Sequence, residues 1–163
     1  MCIVHAHVQP FAHLGGERRV RHFGRGSALT SPVQEWRDTN FHRVTFKDLG
    51  LRVQLGHPVG ESCPYRESGH IKFIVIARNG IHHVNVDFCG CPGHPSQFVQ
   101  CLEMRWWPST PISPQTAATM DVLRSFHVMN LQARLAPTDF YRCLERLTDG
   151  QGLVDLPVSA ESR

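Results

Sequence analysis

Two thiols one residue apart, Cys89-Gly90-Cys91, are the part of this sequence with the clearest capacity for chemistry. Glycine lets the chain bend tightly between them, so both sulfurs can reach one metal ion as a knuckle. A disulfide between the same two residues would close a small strained ring, and a metal is the better reading. A closed tetrahedral zinc needs two more ligands. His57, Cys63, His70, His83 and His94 are the candidates for those places. If the strand that leads into the pair continues through it, Cys89 projects on the face of His83 and Asp87. That keeps His83 in competition, although a lone strand histidine is more often a surface residue. Cys101 and Cys143 suit small core positions better than ligand positions. Trp106-Trp107 can stack on nucleobases, but such a pair before a proline more often anchors a core. His127 reads as structural or exposed.

Nothing in the chain points to turnover. There is no Gly-x-Ser-x-Gly, no phosphate-binding Gly-rich loop and no His-Glu-x-x-His. The 14 acidic residues are spread thinly, with no pair in a recognisable catalytic setting. A nuclease core would need several carboxylates holding divalent metals on a longer α/β fold.

The elements that must position the thiols are legible in part. Leu51, Val53 and Leu55 alternate as in a strand, ended by Gly56-His57-Pro58 and Gly60. Residues 71–78 and 81–88 flank Asn79-Gly80, a strong hairpin turn signal. A two-residue loop there pairs Arg78 with Ile81, Val75 with Val84, Phe73 with Val86 and Ile71 with Phe88, and sets Lys72 against Asp87. Trp106-Trp107-Pro108 marks a break. Ser113 caps a helix over Thr116 to about Gln132, with Pro114 at its first position and Ala118, Val122, Phe126 and Met129 on one stripe. A second helix runs from about Pro137 to Thr148 on Phe140, Leu144 and Leu147, with Gly150 at its C-cap. The short link Leu135-Ala136 implies an antiparallel helical hairpin.

At 163 residues the chain suits one domain or two very small ones. Its longest apolar run, Phe73 to Ala77, falls far short of the roughly 20 residues of a membrane span. Met1 to His13 has no basic stretch of the kind that opens a secretion signal. The six cysteines are unevenly spaced, so reduced thiols fit better than a disulfide framework. The net charge of +3 lies wholly in residues 1–43, with Arg18, Arg19, Arg21 and Arg25 close together; residues 44–163 balance to zero. A solvated tail is favoured there over a basic arm for nucleic acid.

An ordered set of motifs then stands out: Leu49 to His57, Cys63, the Asn79 to Val84 turn, Cys89-Gly90-Cys91, Trp106 to Thr110, Pro114 to Ala117 and Asp139-Phe140-Tyr141. Together they resemble the second type of CxC-like cysteine-cluster domain associated with KDZ transposases, over roughly Trp36 to Gly150. The resemblance implies that His57, Cys63, Cys89 and Cys91 bind Zn2+. It also implies a place N-terminal to a transposase catalytic region, and a nuclear location. Such proteins often carry a preceding B-box-like zinc segment. Cys2, His7, Pro10 and His13 look like its last piece and Trp36 like its end, with Leu14 to Gln34 as an insertion or gene-model artefact.

The expected architecture is therefore α+β: a zinc-binding β-hairpin knuckle over 51–94 followed by a helical part over 113–150. Both lie in a domain of residues 36–150, between an irregular segment 1–35 and a flexible tail 151–163. The expected function is a non-catalytic zinc module, a remnant or fragment of a KDZ transposase-like protein. It would act on DNA, such as transposon ends, or on protein, such as a transposase catalytic domain. A protein-interaction scaffold without DNA contact is the alternative. No contact with a membrane is expected.

Overall fold

The computed structural model describes residues 8–9, 20–22, 33–37, 39–44, 47, 50, 52–58 and 62–148. Cys2, His7, Pro10, His13, Arg18, Arg19, Arg25, Gly150 and the tail 151–163 lie outside the described residues.

The architecture is α+β, with mixed sheets and three helices. In chain order the elements are β1 (Val8–Gln9), β2 (Val20–His22), β3 (Val33–Arg37), β4 (Asn40–Val44), β5 (Arg52–Gln54), β6 (Arg66–Ser68), β7 (Ile74–Ala77), β8 (Gly80–His83), β9 (Asn85–Cys89), α1 (Gln97–Glu103), β10 (Trp106–Pro108), β11 (Thr116–Thr119), α2 (Met120–Ala133) and α3 (Pro137–Thr148). They build three sheets, ordered β1-β5-β9-β6, β10-β11-β7-β8 and β2-β3-β4. The last is antiparallel throughout and begins upstream of residue 36.

Alternation along β7 organises the interior. Val75 and Ala77 are buried. Val75 joins Phe73, Trp106 and Ala117 against Val53, Val86 and Phe88 of the first sheet. Ile74 and Ile76 point the other way, toward Val122 of α2 and Leu144, Phe140 and Tyr141 of α3. The second sheet is thus a middle layer, with the first sheet and Cys101 of α1 on one face and α2 and α3 on the other. Two apolar faces on one strand explain why Ile74 to Ala77 has no polar residue.

The hairpin exists, but its register and extent differ from expectation. Ala77 pairs with Gly80, Ile76 with Ile81, Val75 with His82 and Ile74 with His83, so the turn residues are Arg78 and Asn79. Both registers keep each side chain on the same face, because they differ by two residues along the partner strand. The apolar pattern therefore could not separate them. Gly80, at φ +138°, takes the backbone strain of the turn. The pairing ends near Val84, and β9 crosses into the first sheet between β5 (parallel) and β6 (antiparallel). Asp87 accordingly meets Arg52 rather than Lys72: Arg52 Nε donates to Asp87 Oδ2 at 2.7 Å, and Nη2 donates to Oδ1. This pairing raises the Arg52 pKa.

A second correction concerns Thr116 to Thr119. These residues form a strand wedged between β7 (parallel) and β10 (antiparallel), not the first turn of a helix. Alanine favours helix in isolation. Here Ala117 is buried and Ala118 packs beneath the helices, and small side chains let a strand fill the middle of a sheet covered on both faces. The α2 N-cap is Thr119, whose hydroxyl accepts from the Val122 N–H at 3.3 Å, in place of Ser113. Trp106 to Pro108 is strand β10 rather than a break. The second helix occupies Pro137–Thr148 as expected. Its Cys143 is exposed, contrary to the core reading, whereas Cys101 is fully buried. The tryptophan pair divides: Trp106 is buried against Phe73, and Trp107 is half exposed beside Phe98.

Candidate metal centre

Four side chains from three stretches of chain meet at one end of the first sheet. Cys89 closes β9, and Cys91 follows after Gly90. His57 lies just beyond β5, after Gly56 at φ +78°. Cys63 precedes β6. Because β5 and β6 flank β9 on opposite sides, their ends bring His57 and Cys63 to the knuckle from either side.

The donor atoms of His57, Cys63, Cys89 and Cys91 all lie within 4.8 Å of one another. His57 Nε2 is 3.1 Å from Cys89 Sγ and 3.7 Å from Cys91 Sγ. Cys63 Sγ is 3.5 Å from Cys89 Sγ and 3.6 Å from Cys91 Sγ. Sulfurs in a disulfide stand about 2.05 Å apart, so these are free thiols. A tetrahedron with zinc–sulfur bonds of about 2.3 Å and a zinc–nitrogen bond of about 2.0 Å has edges of roughly 3.8 and 3.5 Å. The observed edges approach these values. Cys63 and Cys89 are buried and His57 and Cys91 half-buried, so the group is largely screened from solvent. One imidazole and three soft sulfurs suit zinc far better than magnesium or calcium.

The thiols are not equivalent electrostatically. Burial pushes Cys89 up to about 12, aided by the neighbouring Cys91 and Cys63 thiols and opposed by the Cys91 backbone N–H. Burial also raises Cys63. Hydrogen bonds from Cys89, the Tyr65 and Gly90 backbone and Cys91 outweigh it and bring Cys63 below its ordinary value. Three sulfurs this close cannot all ionise without a cation between them. A bound divalent ion would reverse that, taking the thiols as thiolates and releasing their protons.

Around the four clustered side chains lies a ring of residues that sequence reasoning missed or placed otherwise. Gln100 of α1 is 1% exposed. Its Oε1 accepts from the Cys89 N–H at 2.9 Å, and its Nε2 donates to the carbonyls of Cys89 at 3.0 Å and Pro95 at 2.8 Å. The Cys91 N–H points at Cys89 Sγ at 3.4 Å, as a knuckle requires. His94 was a candidate ligand but stands outside the group. Its ring stacks on His57 with centroids 5.6 Å apart, and its Nε2 lies 2.8 Å from the Gly56 carbonyl, which fixes it as the donor. His94 Nδ1 is buried with no hydrogen-bond partner among the described residues. His70 and His83 also lie outside the group. His70 Nδ1 accepts from the Lys72 N–H at 3.2 Å, and His83 sits in β8 of the other sheet. Glutamine at position 100 carried no signal, because no metal motif uses it.

With that geometry in view, the comparisons decide the family. A family model described as a CxC2-like cysteine cluster associated with KDZ transposases matches residues 46–152, more than half of the chain. The chain belongs to this family. Within this CxC2 chain all four clustered residues fall inside the match. A cysteine cluster associated with transposases is an accessory domain, distinct from the catalytic core. No curated protein and no solved structure matches the chain significantly.

Proposed function

We propose that His57, Cys63, Cys89 and Cys91 bind one zinc ion in a closed structural site, and that this CxC2 module is a non-catalytic accessory of a KDZ transposase-like protein. The observation that carries the reading is the convergence of one imidazole nitrogen and three sulfurs within 4.8 Å. When bound, the ion supplies the positive charge that lets the buried sulfurs ionise together. The chain's own residues do the rest. Cys89 and Cys91 grip from the end of β9, while His57 and Cys63 tie the ends of β5 and β6 to it. Four protein ligands leave no position for a reacting water, so the centre serves folding rather than turnover. Metal analysis of the purified chain tests this. One zinc per chain is expected, and the Cys89→Ser/Cys91→Ser variant is expected to lose both the zinc and the fold of the first sheet. A folded, metal-free wild type would refute the reading.

The module's partner is a protein surface, such as a transposase catalytic domain. Support comes from the equal numbers of acids and bases in residues 44–163. The exposed Leu123, Val128 and Leu131 of α2 support it as well. The second reading is DNA contact through Arg18, Arg19, Arg21 and Arg25, which precede the matched region; arginine can bridge phosphates and read guanine. Binding of the full chain to duplex DNA over a range of salt separates the two. Salt-steep binding that survives replacement of those four arginines by alanine would assign DNA contact to the CxC2 module itself. A nuclear location belongs to the same proposal, and imaging of the tagged protein checks it.

A further inference from the structure

Of the four clustered ligands, Cys89 makes a backbone demand that the sheet does not meet. Along β9 the backbone groups alternate in direction. Val86 and Gly90 face β6, where the Val86 carbonyl accepts from the Gly69 N–H at 2.8 Å and the Gly90 N–H donates to the Tyr65 carbonyl at 2.8 Å. Asp87 faces β5, where its carbonyl accepts from the Leu55 N–H at 2.8 Å. Cys89 must face the β5 side too. By then β5 has ended at Gln54, and the chain has turned through Gly56 to deliver His57. Among the described residues no strand continues on that side of Cys89, opposite β6, and without another partner its N–H and C=O would be buried unpaired.

The Gln100 carboxamide stands in that gap. It accepts from the Cys89 N–H and donates to the Cys89 C=O, as a neighbouring strand would, and its second N–H goes to Pro95. A primary amide is suited to this because it presents a carbonyl and an N–H2 in one plane. The fit is tight: a Cβ on Gly56 would fall 2.8 Å from Gln100 Oε1, 2.8 Å from Cys89 Cβ and 2.5 Å from His94 Cε1.

We infer that Gln100 is a positioning residue of the metal centre, replacing the missing strand beside Cys89 so that the ion's retention depends on the Gln100 carboxamide. The inference rests on the metal reading of the cluster. Groups that hold ligands from behind typically change metal affinity by about 10–100-fold when removed. Gln100→Met keeps the length and removes every polar atom. Gln100→Glu keeps an acceptor for the Cys89 N–H but turns an oxygen toward the Cys89 and Pro95 carbonyls.

The test uses the full chain loaded with Co2+, whose visible spectrum reports ligand number and geometry, in competition with a chelator. Leu144→Ala, in the core beneath the helices, serves as a control for general destabilisation. Wild type is expected to take one ion with a tetrahedral thiolate spectrum. Both Gln100 variants are expected to hold it about 10–100-fold more weakly with shifted bands, and Leu144→Ala to keep the wild-type spectrum. If Gln100→Met does not fold, Gln100→Glu carries the comparison. Gln100 variants with a wild-type spectrum, and an affinity loss no greater than that of Leu144→Ala, would overturn the role of Gln100 and leave the metal reading standing. A wild type that takes up no metal would overturn both.

Discussion

At the scale of single residues, the candidate centre depends on atoms outside the four clustered side chains. Gly56 is the sharpest case. It sits at φ +78°, and a methyl group there would collide with His94, Cys89 and Gln100 together. Gly93 has a nearly equal φ of +80° but open space where its Cβ would be. Gly93→Ala should therefore cost only the backbone strain, about 1–2 kcal/mol, and leave metal binding intact. Gly56→Ala should cost more than that and weaken metal retention as well. Urea unfolding and chelator competition on the two variants check this. His82 offers a separate prediction. Burial, with His83 nearby, lowers its pKa from 6.5 to about 4. The unfolded chain thus takes up this proton first as pH falls through 6.5, and the folded state loses stability from there down to about 4. The full effect reaches about 3 kcal/mol. Acid titration of stability for wild type against His82→Gln should show a shallower slope in the variant over that window.

At the scale of elements, one hydroxyl ties α3 to the hairpin β7-β8, in addition to the apolar packing between them. Thr148 Oγ1 accepts from the Ile81 N–H at 2.6 Å and donates to the Leu144 carbonyl at 2.7 Å. Ile81 lies in β8, the edge strand of its sheet, so among the described residues no strand satisfies that N–H. Thr148→Val keeps the shape and leaves the Ile81 N–H without this partner, a loss of about 1–3 kcal/mol to be read from thermal unfolding. Amide exchange at Ile81 should accelerate first. Elements were legible in the sequence where the signal was local. The α3 bounds followed from proline, an apolar stripe and spacing, and the turn between β7 and β8 from Asn79-Gly80, to within one residue. The four clustered side chains were readable as a set through the spacing of Cys89 and Cys91 and the family motifs. What was not readable depended on distant contacts. Thr116 to Thr119 is a strand only because β7 and β10 have an open place between them. β9 leaves the hairpin only because β5 and β6 pair with it. Gln100 matters only because β5 ends early.

At the scale of the molecule, the metal candidate belongs to one layer. His57, Cys63, Cys89 and Cys91 all hang from the first sheet, whereas Ile81, Val122 and Leu144 form a separate apolar cluster with the helices. Chelation should therefore act unevenly. Amides of β5, β6 and β9 should lose protection from hydrogen exchange, while much of the helical circular dichroism of α2 and α3 persists. Equal loss in both layers would show one cooperative unit in place of two. The order of strands in the second sheet has a consequence for synthesis. β11 lies between β10 and β7, yet it is the last of the four strands to be made. As the chain leaves the ribosome, the β7-β8 hairpin must wait through the 32 residues 84–115 with the open edge of β7 unpaired. That edge is apolar on both faces and invites another chain to pair with it. A released chain that stops near residue 112 thus keeps this edge open, and it should aggregate more readily than the full chain.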